Sequence, residues 1–339
     1  MPGSPPPPDN DPGAMTRAQV LTVLAAYGLD GARRVRTLRG GNPAAPKAVA
    51  DTPSGRYLIK RRDPLFSDFA RIQAEHAAQS ALQSAGLPVP APVAATDGTT
   101  ILVIGGALYE VLPMVDAGTW PGTPAAAREA GRILARMHLV LATLPLPPGE
   151  PPPGAGQALR ALDHLGRALP SSRPAVDRLR HDLETASEVA ARPRPIQPIH
   201  GDFHPGNTLW RGDTLAAVLD FEHMRSGPAL ADAAIASLHF SLDRAGSDPG
   251  AWPDAPNLDR LTQFWAGYRL LRPLARAEAA EIPHLMVAGL IAEAAPRACH
   301  PGGFGSFGPQ AVLPALARNT AWLIDHAGGL AAAVFPDDR

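Results

Sequence analysis

Between Thr16 and Leu29 the apolar residues Val20, Leu21, Leu24, Ala25 and Leu29 recur at helical spacing. Thr16 followed by Gln19 has the form of a capping box, so a helix is predicted to open there. The period then shortens. Residues 35–38, 48–50 and 56–60 read as three strands, the last two flanking the turn Asp51-Thr52-Pro53-Ser54-Gly55. Phe69–Ser84 returns to helical spacing, with Ala70, Ala74, Ala77, Ala81 and Leu82 on the inner side and Glu75 among them. Residues 101–104 and 108–112 predict two more strands, joined at Gly105-Gly106 and ended by Pro113. Beyond that the pattern is mostly helical: 124–144, 159–168, 175–191, 257–271, 276–294 and 310–326 all carry apolar stripes, and Pro193 to Pro198 break the pattern. His138 lies within the stripe of the first of these and reads as a core histidine. One segment departs from the helical run. Thr208-Leu209-Trp210, the turn Arg211-Gly212-Asp213 and the apolar run 215–219 form the pattern of a β-hairpin.

That hairpin separates the chemistry-bearing residues. His200-Gly201-Asp202-Phe203-His204-Pro205-Gly206-Asn207 precedes it and Asp220-Phe221-Glu222 follows it. A hairpin returns both ends to the same open side, so Asn207 and Asp220 are expected to be neighbours. The grouping offers one candidate base, Asp202, and two oxygen ligands suited to Mg²⁺, a hard cation that shares its sphere with substrate phosphates. Phosphoryl transfer needs such a set. A rival reading gathers His200, Asp202, His204, Asp220 and His223 around Zn²⁺ or a di-metal hydrolase centre. It leaves Asn207 and the first third of the chain unused.

His-Gly-Asp with Asn five residues on, a hairpin and then Asp-Phe-Glu resembles the aminoglycoside phosphotransferase superfamily. Its members share the protein-kinase-like fold and phosphorylate small molecules such as aminoglycosides, choline, homoserine, fructosamines and methylthioribose. The resemblance implies an α+β protein of two lobes: a small antiparallel-sheet N-lobe over 16–112 and a mostly helical C-lobe over 113–339, preceded by a disordered Pro/Gly/Asp-rich tail over 1–15. It implies ATP and Mg²⁺ as cofactors, with the γ-phosphoryl group passing to a hydroxyl of an aminosugar, amino alcohol or hydroxy amino acid. Asp202 would be the catalytic base, with Asn207 and Asp220 as metal ligands. Lys60 would hold the α- and β-phosphates and Glu75 would hold Lys60, with Arg61, Arg62 and Arg71 as competitors for that carboxylate. Gly40, Gly41 and Asn42 would cover the phosphates, although Pro43 and Pro46 depart from the usual loop and remove N–H donors. Glu110-Val111-Leu112 would be the hinge whose backbone reads adenine. The segment from Gly227-Pro228 to Asp232 resembles a family segment, with Ala233 in place of the usual Leu. There Asp232 would cap the next helix and brace the catalytic loop, and His200 would brace the same loop.

Composition narrows the partners. A net charge of −1 and a pI near 6.8 give no electrostatic case for nucleic acid or an anionic membrane. No apolar run reaches the ~20 residues of a spanning helix, residues 1–14 lack the form of a secretory signal, and the single cysteine, Cys299, forms no internal disulfide. A cytoplasmic protein is expected. Lys47 and Lys60 are the only lysines among 31 basic residues, which makes each of them stand out. The acceptor is left open. Asp243, Asp248, Asp254 and Asp259 around Trp252 suit a cation, whereas Arg297 and His300 beside the 302–308 loop suit a carboxylate. A kinase-like scaffold without turnover is a third possibility, but it has no chemical need for Lys60, Glu75, Asp202, Asn207 and Asp220 together.

Overall fold

The computed structural model describes residues 14–38, 44–149, 155–244, 246–300 and 302–335. The chain divides into two compact units at Asp116/Ala117, a few residues beyond the expected boundary.

The first unit is built on a five-stranded antiparallel sheet of order β1-β2-β3-β5-β4. Its strands are β1 (Arg34–Leu38), β2 (Lys47–Thr52), β3 (Gly55–Arg61), β4 (Leu102–Ile104) and β5 (Ala107–Pro113). Helix α1 (Arg17–Ala26) opens with the capping box read from the sequence: Thr16 Oγ1 accepts from the Gln19 N–H and the Gln19 side chain accepts from the Thr16 N–H. Helix α2 (Phe69–Ser84) starts where Asp68 accepts from the Arg71 N–H. Val20 and Leu24 of α1 pack against Ala48, Ala50, Ile59 and Val111, the alternate residues of the central strands. Met15 joins this cluster at 4 % exposure, so the expected tail over 1–15 is corrected at its end: Met15 belongs to the core.

The second unit comprises α3 (Pro124–Leu141), α4 (Ala155–Ala168), α5 (Arg173–Ala190), β6 (Ile196–Ile199), β7 (Thr208–Arg211), β8 (Thr214–Val218) and β9 (Arg225–Pro228). Helices α6 (Ala229–Ser241), α7 (Leu258–Arg269), α8 (Arg276–Ala298), α9 (Pro309–Asp325) and α10 (Ala327–Val334) complete it. β7 and β8 form the predicted hairpin. β6 and β9 pair antiparallel, a ribbon that Pro198, Gly227 and Pro228 hide from pattern reading. The ribbon clamps both ends of the 200–224 segment, His200 following β6 and Arg225 opening β9. Helices α3 and α7 approach unusually closely: a Cβ on Gly131 would lie 1.9 Å from Phe264 O, and one on Gly267 1.9 Å from Arg128 O. Only glycine fits at either place.

Candidate active site

The loop after β6 is held by hydrogen bonds between its backbone and a buried histidine, a carboxylate and a guanidinium. His200 is fully buried, and burial lowers its pKa against the pull of Asp232, Asp202 and Asp220. The neutral ring has one defined tautomer: Nδ1 accepts from the Asp202 N–H at 3.3 Å and Nε2–H donates to Leu219 O at 3.1 Å. His200 thus ties Asp202 to Leu219, the residue before Asp220, and its ring packs on Phe221. Gly201 adopts φ 77°, and a Cβ there would fall 2.4 Å from His223 O. Its N–H donates to Asp232 Oδ1 at 3.1 Å and its carbonyl accepts from Arg225 at 2.7 Å. The other Asp232 oxygen accepts from His138 Nε2 at 2.9 Å, and His138 Nδ1 accepts from the Tyr268 hydroxyl at 2.9 Å. Asp232 therefore braces the loop as expected, but the Pro228 N-cap of α6 has no side-chain cap and Asp232 does not cap that helix.

Asp202 itself is fixed by Asn207, whose Nδ2 donates to Asp202 O and to Asp202 Oδ2, both at 2.9 Å. Burial alone would raise the Asp202 pKa. The His204 hydrogen bond and the charges of His204, His223 and Arg297 outweigh it and hold the carboxyl well below the usual range. His204 Nδ1 accepts from the Gly206 N–H, which leaves Nε2–H facing Asp202 Oδ2 at 3.4 Å. Thr208 pairs with Val218, and the Leu219 N–H donates to Asn207 O at 2.9 Å, so Asn207 and Asp220 flank the open end of one hairpin. Asp220 is the one non-glycine residue with positive φ, 64°, among the described residues, a left-handed backbone that Asp tolerates better than most. The Asn207 amide nitrogen is the atom committed to Asp202, not its oxygen. Asn207 and Asp220 together supply the oxygen chemistry that a hard divalent cation requires. The hydrolase reading fares worse. His200 is turned into the core, and no three His, Cys, Asp or Glu side chains among the described residues converge as a metal site.

In the first unit Lys60 is buried on β3, opposite Lys47 on β2 and Glu110 on β5. Its Nζ lies 4.0 Å from Glu110 Oε1. Glu75 is bound by Arg62 Nη2 at 2.6 Å and approached by Arg71 at 3.4 Å. The expected Lys60–Glu75 pair is therefore corrected: Arg62 and Arg71 take up Glu75, and Lys60 faces Glu110 instead. Glu110 is the second anion of this network, accepting from His76 Nε2 at 2.7 Å and lying 3.4 Å from Arg62. Burial raises Glu75 against Arg62. Burial would raise Glu110 too, but the His76 bond and the Lys60, Arg62 and His76 charges bring it down. Glu110 and Leu112 therefore need correction. Both lie inside β5, in register with Lys60 and Leu58, and the Glu110 side chain belongs to this network, so neither sits in a free connecting segment. The signal that could have found Glu110 is its place opposite Lys60, visible only once β3 and β5 are paired. Gly40, Gly41 and Asn42 lie outside the described residues.

Beside Asp202 the second unit opens into a cavity of about 290 Å³. Arg297 lines it, 3.5 Å from Asp202 Oδ1, together with Arg244, Trp252, Phe304 and Phe307. His239, whose ring is 6.0 Å from that of His204, donates there to Glu293 at 2.9 Å. The acids read as a cation site are engaged elsewhere. Asp243 binds Arg260 at 2.6 Å, Asp254 binds Arg318 at 2.6 Å, and Asp248 accepts from the Gly250 N–H at 2.8 Å.

Solved structures share this architecture. An amicoumacin kinase in complex with AMP-PNP, Ca²⁺ and Ami superposes with a TM-score of 0.69 at 15 % identity, covering 92 % of this chain and 94 % of that one. A microcompartment-associated aminopropanol kinase superposes with a TM-score of 0.61 at 20 % identity, covering 93 % and 98 %. The fold is protein-kinase-like. In sequence, a homoserine kinase of Rhizobium johnstonii is 27 % identical over 222 residues, 60 % of this chain and 61 % of that protein, so the chain matches about three fifths of its length. A homoserine kinase of Hyphomonas neptunium is 28 % identical over 69 % of this chain and 72 % of that protein. The profile of the Phosphotransferase enzyme family matches residues 34–274, well over half of the sequence, and with the loop and hairpin in place the chain belongs to that family.

Proposed function

We propose that the protein transfers the γ-phosphoryl group of ATP to a hydroxyl of a small molecule. The observation that carries this reading is the arrangement at the hairpin: Asp202 oriented by Asn207, with Asn207 and Asp220 at one open end. Asp202 stays ionised at neutral pH and can orient an acceptor hydroxyl and take its proton. His200, Gly201 and Asp232 fix the backbone on which that carboxylate stands, so its position costs little reorganisation during reaction. Mg²⁺ held by Asn207 and Asp220 would neutralise charge on the phosphates. Lys60, kept charged beside Glu110, is suited to phosphate oxygens, and Lys47 directly across the strands adds a second cation to the same face. The homoserine and aminopropanol kinases named above support a small hydroxylated acceptor as a class.

Thermal unfolding tests the reading. ATP should raise the midpoint only when Mg²⁺ or Mn²⁺ is present, and Asp220→Ala should abolish the metal requirement together with the stabilisation. ATP that leaves the midpoint unchanged with either metal would defeat it. So would tightly bound Zn²⁺ in the purified protein, which would revive the hydrolase centre.

A further inference from the structure

The cavity beside Asp202 has an electrostatic character opposite to that of the acidic loop next to it. Two guanidinium groups, Arg244 and Arg297, line one small volume, which favours an anionic occupant. The cavity's own carboxylate, Glu293, accepts a hydrogen bond from His239. Arg244 makes no hydrogen bond or ion pair among the described residues. Arg244 is exposed on the cavity wall, where it faces the charges of Glu293 and Arg297. An anionic ligand would offset the repulsion between the two guanidinium groups. Arg297 stands 3.5 Å from Asp202 Oδ1, beyond a good hydrogen bond, so its donors can serve a second anion while remaining beside the base.

We propose that the phosphate acceptor is a compact hydroxylated anion, held through its carboxylate or phosphate oxygens by Arg244 and Arg297 so that its hydroxyl faces Asp202. The inference rests on the phosphotransferase reading and names the acceptor class for it. Size points the same way. About 290 Å³ lies at the small end of the ~300–1,000 Å³ of small-molecule sites, which favours a few-carbon molecule over an oligosaccharide. Trp252, Phe304 and Phe307 supply an apolar wall for its carbon chain. A polycationic aminosugar would instead meet two guanidinium groups.

Matched acceptors separate the charges. Homoserine, 4-hydroxybutyrate and 3-aminopropan-1-ol share a terminal hydroxyl; the second lacks the amine and the third lacks the carboxylate. With Mg²⁺-ATP, loss of the carboxylate should lower kcat/KM by about 10–100-fold, the range of a charge-assisted hydrogen-bonded pair, and loss of the amine by less. Glycerol 3-phosphate, run alongside, distinguishes a phosphate anchor from a carboxylate anchor. Arg244→Met should raise KM for the anionic acceptors by about the same 10–100-fold factor and leave KM for ATP alone, while Arg244→Lys restores part of the loss. Preference for 3-aminopropan-1-ol or an aminoglycoside over every anion would overturn the proposal, as would an Arg244→Met protein of normal fold with unchanged acceptor KM. Failure of all anionic acceptors while Mg²⁺-ATP still stabilises the protein overturns the acceptor class and leaves the phosphotransferase reading intact. Loss of that Mg²⁺-ATP stabilisation overturns the reading itself.

Discussion

Asp202 and Lys60 are both nearly buried charges, with side chains 11 % and 8 % exposed, yet the chain supports them differently. Around Asp202 the supports are largely directional hydrogen bonds: the Asn207 amide, the His200 ring, the Gly201 backbone and, behind them, the Asp232 carboxylate and His138. Around Lys60 they are acidic and basic side chains packed together, in which Arg62, Glu75, Glu110 and His76 contact one another in the interior. A directional support, when removed, misplaces a group. A charge partner, when removed, leaves an uncompensated ion in low dielectric. The second unit should therefore answer mutation mainly in rate, and the first mainly in stability.

The largest effect tests the first half of that statement. Asp202→Asn keeps the loop's shape and should lower turnover by ~10²–10⁴-fold with ATP affinity nearly intact, measured by steady-state kinetics and ATP titration. Full activity in that variant would remove Asp202 from its role. Glu110→Gln tests the second half. It strands Lys60 and Arg62 and should cost about 3–5 kcal/mol in urea unfolding, the range for breaking a buried pair. Glu75→Gln should cost less, because burial already draws Glu75 towards its neutral form. In a double-mutant cycle Lys60→Met and Glu110→Gln should be strongly non-additive; additive losses would mean that the 4.0 Å separation carries no coupling.

Asp232→Asn lies between the two cases. Its amide cannot accept from both His138 and the Gly201 N–H, so one buried donor loses its partner, at about 1–3 kcal/mol. Turnover should fall with stability, in contrast to Asp202→Asn. The pH profile is a finer probe. Asp202 acts when ionised and its pKa is depressed, so its activity is present above that lowered pKa and lost only as pH falls through it. The acid limb of kcat/KM should therefore lie below the ordinary carboxylate range, and His204→Ala should move it up. An unmoved limb would remove His204 from the set of supports. The smallest effect is expected at the exposed acids. Asp254→Asn should cost about 1 kcal/mol or less and leave acceptor KM unchanged, because Asp254 serves Arg318 at the surface.

Local signals made much of the fold legible. The caps at Thr16 and Asp68 and the apolar stripes placed α1, α2, α3 and α7 to α9 to within a few residues, and the hairpin turn at Gly212 placed β7 and β8. What stayed hidden required partners distant in sequence. β6 and β9 contain prolines and become strands only through each other. The Ala/Gly-rich α10 carries too weak a stripe to be seen. For the site, the loop and hairpin lie within 21 residues, 200–220, and could be read directly. Lys60 could be read as a buried cation, but its neighbour Glu110 is fifty positions away, and choosing between it and Glu75 depends on strand register. The acids near Trp252 misled for the same reason, since Arg260 and Arg318, which take up two of them, lie on other helices.

The contact between Gly131 and Gly267 has a mechanical consequence. A methyl group at position 131 would press on Phe264 O and, 3.1 Å away, on the Tyr268 nitrogen. Tyr268 is the first link of the chain that runs through His138 and Asp232 to the Gly201 amide. Spreading these two helices would act as a lever on the loop from behind, slackening its anchorage while leaving every reacting group chemically unaltered. On the proposed function, the hold on the Asp202 loop would thus depend on the spacing of two helices, a spacing set by the absence of two side chains.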